Sequence, residues 1–121
     1  MPASPVYRHL GVRKHKDITI VRFGEHRIFD ELAIDKLGEE LYSVADHDDC
    51  RKLVLNFAGV DRVSSMMLGK ILMLNRRLQA KGGKLALCEL DPGIREIIET
   101  TKLSLILELY ESEGDALDAL A

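Results

Sequence analysis

Two adjacent serines, Ser64 and Ser65, are the residues of this sequence whose type and position best suit a chemical role. They stand in "VDRVSSMMLGKIL", residues 60–72, where a loop is expected to run into a helix. Free amides and the helix dipole favour negative charge there, so an added phosphate would be tolerated locally and would change the surface by about two charges. A serine at this position also suits an ordinary N-cap, which contributes about 1 kcal/mol. On the pattern alone the cap is the better interpretation, and the switch stays an alternative.

Patterns typical of an active site or a metal site are missing from the sequence. Its four histidines lack the i, i+4 spacing on a helix that could bring two ligands together, and a zinc site needs three or four ligands in tetrahedral reach. The serine pair has no G-x-S-x-G elbow and no histidine at a recognisable partner position. Glycine-rich phosphate loops are absent too. The sequence therefore predicts a protein that is not an enzyme and that uses neither a metal nor a cofactor. The histidines are His9, His15, His26 and His47.

Size and composition indicate one compact domain spanning residues 1–121, with residues 1–7 expected to be mobile. The chain has 46% hydrophobic residues, enough for a single core. Its 17 basic and 20 acidic residues are well mixed, which argues against direct binding of nucleic acid or of an anionic membrane. A signal peptide or membrane span is not visible, so a cytoplasmic location is expected. Cys50 and Cys88 lack a C-x-x-C spacing and are interpreted as buried thiols.

Strand and helix patterns alternate along the chain and predict an α/β sandwich with a mostly parallel sheet. The predicted strands are residues 8–15 and 18–23, forming a hairpin that turns at Lys16-Asp17, and residues 52–57, 84–90 and 103–110. The predicted helices are one capped by Asp30, one over residues 65–81 stopped by "GG" at 82–83, one opened by "DPG" at 91–93, and one opened by a capping box at 112–115. The positions expected to point inward are Ala33, Leu37, Leu41 and Val44 in the first helix and Met67, Ile71, Leu74 and Leu78 in the second; the short last helix carries Leu117 and Leu120.

A second stripe is expected on the helix that follows the serines. If Met67 and its partners point inward, then Met66, Lys70, Met73 and Arg77 lie roughly 80 to 120° away on a solvent side. Methionine is adaptable at binding surfaces, and exposed apolar groups between cations are typical of a docking surface. The alternative is that these methionines pack against neighbouring loops.

Nearly the whole chain, from about Val12 to Leu120, resembles the STAS domain family and specifically the bacterial anti-sigma factor antagonists. The likeness lies in "KLVLNFAGVDRV", in "LGKILMLNRRLQAKGGKLALCEL" and in "DPGIREIIETTKL", whose order and spacing agree with the family. The resemblance implies a STAS-like sandwich with a mixed, mostly parallel sheet of about five strands and four helices. It also implies a non-catalytic domain that binds an anti-sigma factor of the serine-kinase type, and that is switched off by phosphorylation at the start of the second helix.

The chain departs from the family at that switch, where the pattern is Asp-Ser-Ser/Thr-Gly followed by leucine and a small residue. Anchoring on Leu68-Gly69 without gaps places Ser64 at the Asp position, Ser65 at the first Ser and Met66 at the phosphoacceptor. Three outcomes follow. The domain is an antagonist that cannot be phosphorylated, or its switch has moved to Ser65 or Ser64, or it is a relative recruited as a binding or assembly module.

The expected binding surface is the start of the second helix together with the preceding loop. Ser65 is the first candidate phosphoacceptor and Ser64 the second. The predicted partner is an anti-sigma factor or a related regulatory protein, and a homo-oligomer is an open possibility. The alternative function is a STAS scaffold or a small-ligand or nucleotide-binding module that uses the same helix N-terminus. The predicted partner-binding residues are Asp61, Arg62, Ser64, Ser65, Met66, Lys70 and Met73.

Overall fold

The fold is a five-stranded sheet with helices on both faces, as seen in a computed structural model that describes residues 10–24, 27–28, 31–47 and 50–121. Several sequence predictions lie outside the described residues: the mobility of residues 1–7, the N-cap at Asp30, and the surroundings of His9 and His26. The main-sheet strands are β1 (Leu10–His15), β2 (Ile18–Phe23), β4 (Lys52–Asn56), β6 (Lys84–Cys88) and β7 (Glu108–Tyr110), and a short second sheet contains β3 (Arg27–Ile28) and β5 (Arg62–Val63). The helices of the described part are α1 (Glu31–Asp46), α2 (Ser65–Ala80), α3 (Pro92–Thr100) and α4 (Glu113–Leu120).

The main sheet has the strand order β1-β2-β4-β6-β7. β1 is antiparallel to β2, and its hairpin turns at Lys16, whose φ of 57° is left-handed. All the other neighbours are parallel. The predicted opening hairpin and the mostly parallel sheet are therefore confirmed.

Two apolar layers cover the sheet. The larger layer lies between the sheet and α1, α2 and α3, and the smaller one lies between the sheet and α4. Because β2, β4 and β6 carry apolar residues on both faces, they pack against both layers, as expected for strands buried in a parallel sheet. This arrangement leaves the carboxyl end of β4 and the start of α2 at one rim of the molecule.

Helix α2 follows the sequence prediction closely. All four residues predicted to point inward are fully buried. The helix ends in a Schellman motif, in which the amide of Gly83 donates to the carbonyl of Leu78 at 2.7 Å and that of Gly82 to Gln79 at 3.0 Å. Gly82 has a φ of +76°, and a Cβ on Gly83 would lie 2.3 Å from the carbonyl oxygen of Arg51. The glycine pair thus stops the helix and lets β6 approach the segment before β4.

Three details differ from the sequence predictions. In the first turn of α1 the fully buried side chain is Ile34, whereas Ala33 is half-buried, because the helix turns Ile34 toward the sheet. The strand predicted over residues 103–110 is wrong in its first part: residues 103–105 form a 3₁₀-helix after Lys102, whose φ of 64° breaks an extended run. Of the predicted capping box the structure shows the serine half, in which the Ser112 hydroxyl accepts from the amide of Asp115 at 3.1 Å; the amide of Glu113, the first helical residue, donates to the Glu89 carboxylate.

Candidate docking site

A tight turn begins the loop between β4 and α2. The amide of Val60 donates to the carbonyl of Phe57 at 2.9 Å, and Gly59 between them has a φ of +84°, as the third position of such a turn requires. The side-chain oxygen of Asn56 accepts from the amide of Ala58 at 2.8 Å and supports the same turn. The course of the chain toward α2 is therefore set by backbone geometry at its first residues.

The rest of the loop is pinned by short strand pairing and by two buried valines. Val60 and Val63 belong to the larger core cluster, and β5 pairs in parallel with β3. Between these anchors Asp61 and Arg62 are exposed. The two charged residues predicted to bind a partner are thus displayed on a segment fixed on both sides.

The structure distinguishes the two serines. Ser64 is the N-cap of α2, with extended backbone dihedral angles, and its Oγ accepts from the amide of Met67 at 3.4 Å. Its side chain is half-buried, whereas Ser65 is the first helical residue and is exposed. The cap prediction is confirmed at Ser64, and Ser65 carries the more accessible hydroxyl. Phosphorylation of either serine stays a prediction.

Two methionine side chains face outward from α2. Met66 is 40% exposed and Met73 is 44% exposed, although Met67, next to Met66, is fully buried. A separation of seven residues places the exposed pair about two helical turns apart, which is about 10 Å. This arrangement matches the predicted solvent stripe at its two methionine positions.

The lysine of the predicted stripe contacts α1 instead of lying in solvent. The Nζ of Lys70 is 3.3 Å from the Oδ1 of Asp35, and its aliphatic stem lies over Gly38, where an added Cβ would be 2.9 Å from the Lys70 Cδ. A half-buried lysine with this partner is part of the packing between the helices. The prediction of a solvent-side cation at Lys70 is therefore corrected, because α1 flanks this side of α2.

Arg77 lies on the solvent side as predicted, with 42% of its side chain exposed, but it also contacts α1. Its Nη1 donates to the Oδ2 of Asp46 at 2.8 Å, and its guanidinium lies 4.4 Å from the centre of the Tyr42 ring. A cation over an aromatic face is held in place by the electrostatic field of the ring. The outward surface of α2 near its start is consequently formed mainly by Ser65, Met66 and Met73.

A shallow hollow beside this surface is the place where an α/β sheet would often hold a ligand, at the carboxyl ends of β4 and β6. It has a volume of about 220 Å³. Three carboxylates line it, from Asp61, Glu89 and Asp91, and such a lining repels the phosphates of a nucleotide. The hollow therefore gives no support to the nucleotide-binding alternative. Its full lining is Phe57, Gly59, Val60, Asp61, Glu89, Leu90 and Asp91.

Other kinds of site are not formed by the residues that the structure describes. Among them no group of three or more histidine, cysteine or acidic side chains could hold a metal ion. Cys50 and Cys88 are buried thiols, as predicted, and burial together with Glu89 and Glu113 raises the pKa of Cys88 to about 12. A thiol that stays protonated is a poor nucleophile. No helix of the described part is long and apolar enough to cross a membrane.

A polar network behind the loop was not foreseen. Asn56 is buried, and its Nδ2 donates to the Oε1 of Glu113 at 2.9 Å. The same carboxylate pairs with Arg13 of β1, so the network joins β1, β4 and α4. The available signal was a polar residue ending the apolar strand "KLVLN". Asn56 acts as a positioning residue, because its other side-chain atom supports the turn that leads to α2.

The chain is similar to known proteins over most of its length. The STAS domain model matches residues 9–116. An anti-sigma F factor antagonist from Paenibacillus polymyxa is 26% identical over 106 residues, covering 88% of this chain and 89% of that protein. BtrV from Bordetella bronchiseptica, named for the same class, is 32% identical over 82 residues, covering 68% and 70%. A solved STAS domain protein from Planctomyces limnophilus superimposes with a TM-score of 0.83 at 20% identity, covering 93% of this chain and 97% of that one.

Proposed function

The chain belongs to the STAS domain family, and we propose that it acts there as an anti-sigma factor antagonist. Such a protein binds an anti-sigma factor and thereby releases a sigma factor. The two curated relatives are named for this class and align with most of the chain. The proposed activity is docking without chemistry, which agrees with the exposed apolar side chains of the site.

The observation that carries the proposal is the exposure of Met66 at the second position of α2. In the family register this is the position of the phosphoacceptor, so the expected hydroxyl is replaced by a larger apolar side chain. Methionine adapts its shape to a partner surface and gains free energy when it is removed from water. The proposed contact is centred on Met66, with Met73 two turns away and with Asp61 and Arg62 on the pinned loop.

Regulation of this contact depends on which hydroxyl a kinase could reach. The Ser64 hydroxyl already caps α2, and a phosphate there would disturb that bond. Ser65 is exposed on the first turn, where the free amides of the helix favour negative charge. We therefore propose that Ser65 is the phosphoacceptor of a relocated switch. If the partner adds no phosphate, the domain is able to dock at all times.

The test uses the full chain and candidate anti-sigma factors of the serine-kinase type. Binding is measured by titration calorimetry, first without nucleotide and then after incubation with ATP, and each sample is weighed intact. A phosphate-sized mass gain that Ser65→Ala abolishes supports the relocated switch, and binding without any gain supports the permanent antagonist. Ser104→Ala, at an exposed serine distant in sequence from α2, is the matched control. Failure of every such kinase to bind would contradict the proposed function.

A further inference from the structure

Among the residues that the structure describes, the two outer strands of the main sheet leave backbone groups available for a further strand. Within the described part of the chain, β1 pairs only with β2 and β7 only with β6. An edge strand presents a row of N–H and C=O groups that can template pairing with another chain. The two edges differ in charge, so they are not equivalent surfaces.

The β1 edge is basic. Its strand is "LGVRKH", and the turn adds Lys16. Five of its six residues are exposed, including Val12, an apolar side chain at 39% exposure. Arg13 pairs with Glu113, yet half of its side chain still faces solvent. This edge therefore offers cations next to an exposed apolar group.

The β7 edge is acidic and apolar. Its strand is "ELY" followed by Glu111, and Glu108 is exposed. The segment just before the strand exposes Leu105 at 82% and Ile106 at 56%. Two hollows of about 490 and 290 Å³ flank this edge, and both are lined by Ile106 and Glu108. The edge is thus bordered by open grooves instead of being covered by a helix or loop of the described chain.

On each face of the sheet, the side chains of one edge strand complement those of the other edge strand. Arg13 is paired in register with Ile20, and Glu108 with Ala86, and both of these partners belong to the apolar layer under α4. Arg13 of β1 and Glu108 of β7 therefore lie on the same face of the sheet and carry opposite charges. On the other face Val12 lies in register with Val21 of the larger layer, on the side where Leu109 also packs.

We propose that copies of this chain associate head to tail, with β1 of one copy lying along β7 of the next. β1 runs antiparallel to the rest of the sheet, so this pairing is antiparallel and continues the sheet with each face preserved. It brings Arg13 toward Glu108 on the α4 face and Val12 toward Leu109 on the other. The contact is heterologous, so it forms rings or open chains of copies instead of stopping at a two-fold dimer.

The test is the mass of the full chain in solution, without any other protein, so its outcome is independent of the proposed anti-sigma function. Sedimentation velocity from about 10 μM to about 1 mM covers the range of a weak contact. The weight-average mass is expected to rise above the monomer value of 13.6 kDa and to pass twice that value at the highest concentrations. Added salt should lower the mass because charge pairs at a rim are screened. A monomer mass at every concentration overturns the proposal.

A charge exchange then identifies the two edges. Glu108→Lys alone and Arg13→Glu alone should each return the mass to the monomer value, and an equal mixture of the two variants should recover association, since every contact regains opposite charges. The matched controls are Glu39→Lys and Arg76→Glu, the same charge changes at exposed helix positions. Since Arg13→Glu also removes the pair with Glu113, Val12→Asp is a second disruptive variant on the β1 side, because it places a carboxylate opposite Leu109 of the next copy. Association that persists in Glu108→Lys and Val12→Asp overturns the edge assignment.

Discussion

The side chain of Asn56 joins the last position of β4 to the first turn of α4, with its Nδ2 donating to the Oε1 of Glu113 at 2.9 Å. Its other side-chain atom accepts from the amide of Ala58 and holds the turn that leads to α2. One buried amide therefore couples the support of the candidate docking loop to the helix on the opposite face of the sheet. Substitutions at Asn56 or Glu113 should therefore change the free energy of unfolding, with a defined pH dependence.

Glu113→Gln should remove a pH-dependent part of the stability. Burial raises the pKa of Glu113, but hydrogen bonds from Asn56 and Arg13 outweigh it and leave the pKa below its ordinary value of 4.5. A carboxyl with a depressed folded-state pKa contributes stability above its unfolded pKa and loses it as the pH falls through the folded value. Urea unfolding should therefore show the wild type more stable at pH 7, with the difference shrinking below about pH 4.5. A pH-independent difference would contradict this account.

Asn56→Asp should destabilise the protein by about 2 kcal/mol at pH 7, because a buried donor becomes a carboxylate that faces the half-buried carboxylate of Glu113. The acceptor for Ala58 is kept, so the loss reports the contact with Glu113. In the double variant Asn56→Asp with Glu113→Gln, the new amide can donate back to the new carboxylate. Urea unfolding should show that the double variant is more stable than Asn56→Asp alone. If the two changes simply add, the direct contact is not the source of the effect.

Ser64→Ala and Ser65→Ala should differ although the serines are neighbours. Ser64 caps α2, and removing its hydroxyl leaves the amide of Met67 without that acceptor. The expected loss is about 1 kcal/mol for Ser64→Ala. Ser65 is exposed, so its replacement should change the unfolding free energy by less than about 0.5 kcal/mol. Chemical denaturation with a shared m-value makes the comparison, and equal losses would show that Ser64 is not the functional cap.

Helix α2 and the parallel strands were predictable because their patterns are local and strongly periodic. Met67, Ile71, Leu74 and Leu78 recur at helical spacing, and the glycine pair after them has a specific stop geometry. The first part of the strand predicted over residues 103–110 was wrong because a run of apolar residues does not distinguish an extended segment from a short helical turn. The left-handed Lys102 decides that conformation, and its backbone angle has no clear sequence signal.

The sequence indicates where the candidate site lies along the chain, but it does not indicate which residues of other elements contact it. A helical wheel gives the angle between Met66 and Lys70, yet it does not say which helix lies alongside. Packing of α1 against α2 brings Asp35 to Lys70, so one member of the stripe is used within the fold. The bond between Asn56 and Glu113 spans 57 positions in sequence and depends on how α4 returns to the sheet. Such long-range contacts are set by tertiary structure, which periodicity in one sequence does not specify.

Met66→Asp should separate docking from folding. Met66 is exposed, so a charge there is expected to leave the unfolding free energy within about 0.5 kcal/mol of wild type. The same charge should weaken binding to the anti-sigma partner at least tenfold, which is about 1.4 kcal/mol, because an apolar contact becomes a buried carboxylate. Met67→Ala is the matched control, since this fully buried neighbour should cost about 2–5 kcal/mol of stability. Calorimetric binding and thermal unfolding decide the matter: a large stability loss in Met66→Asp, or unchanged binding, would place the docking surface elsewhere.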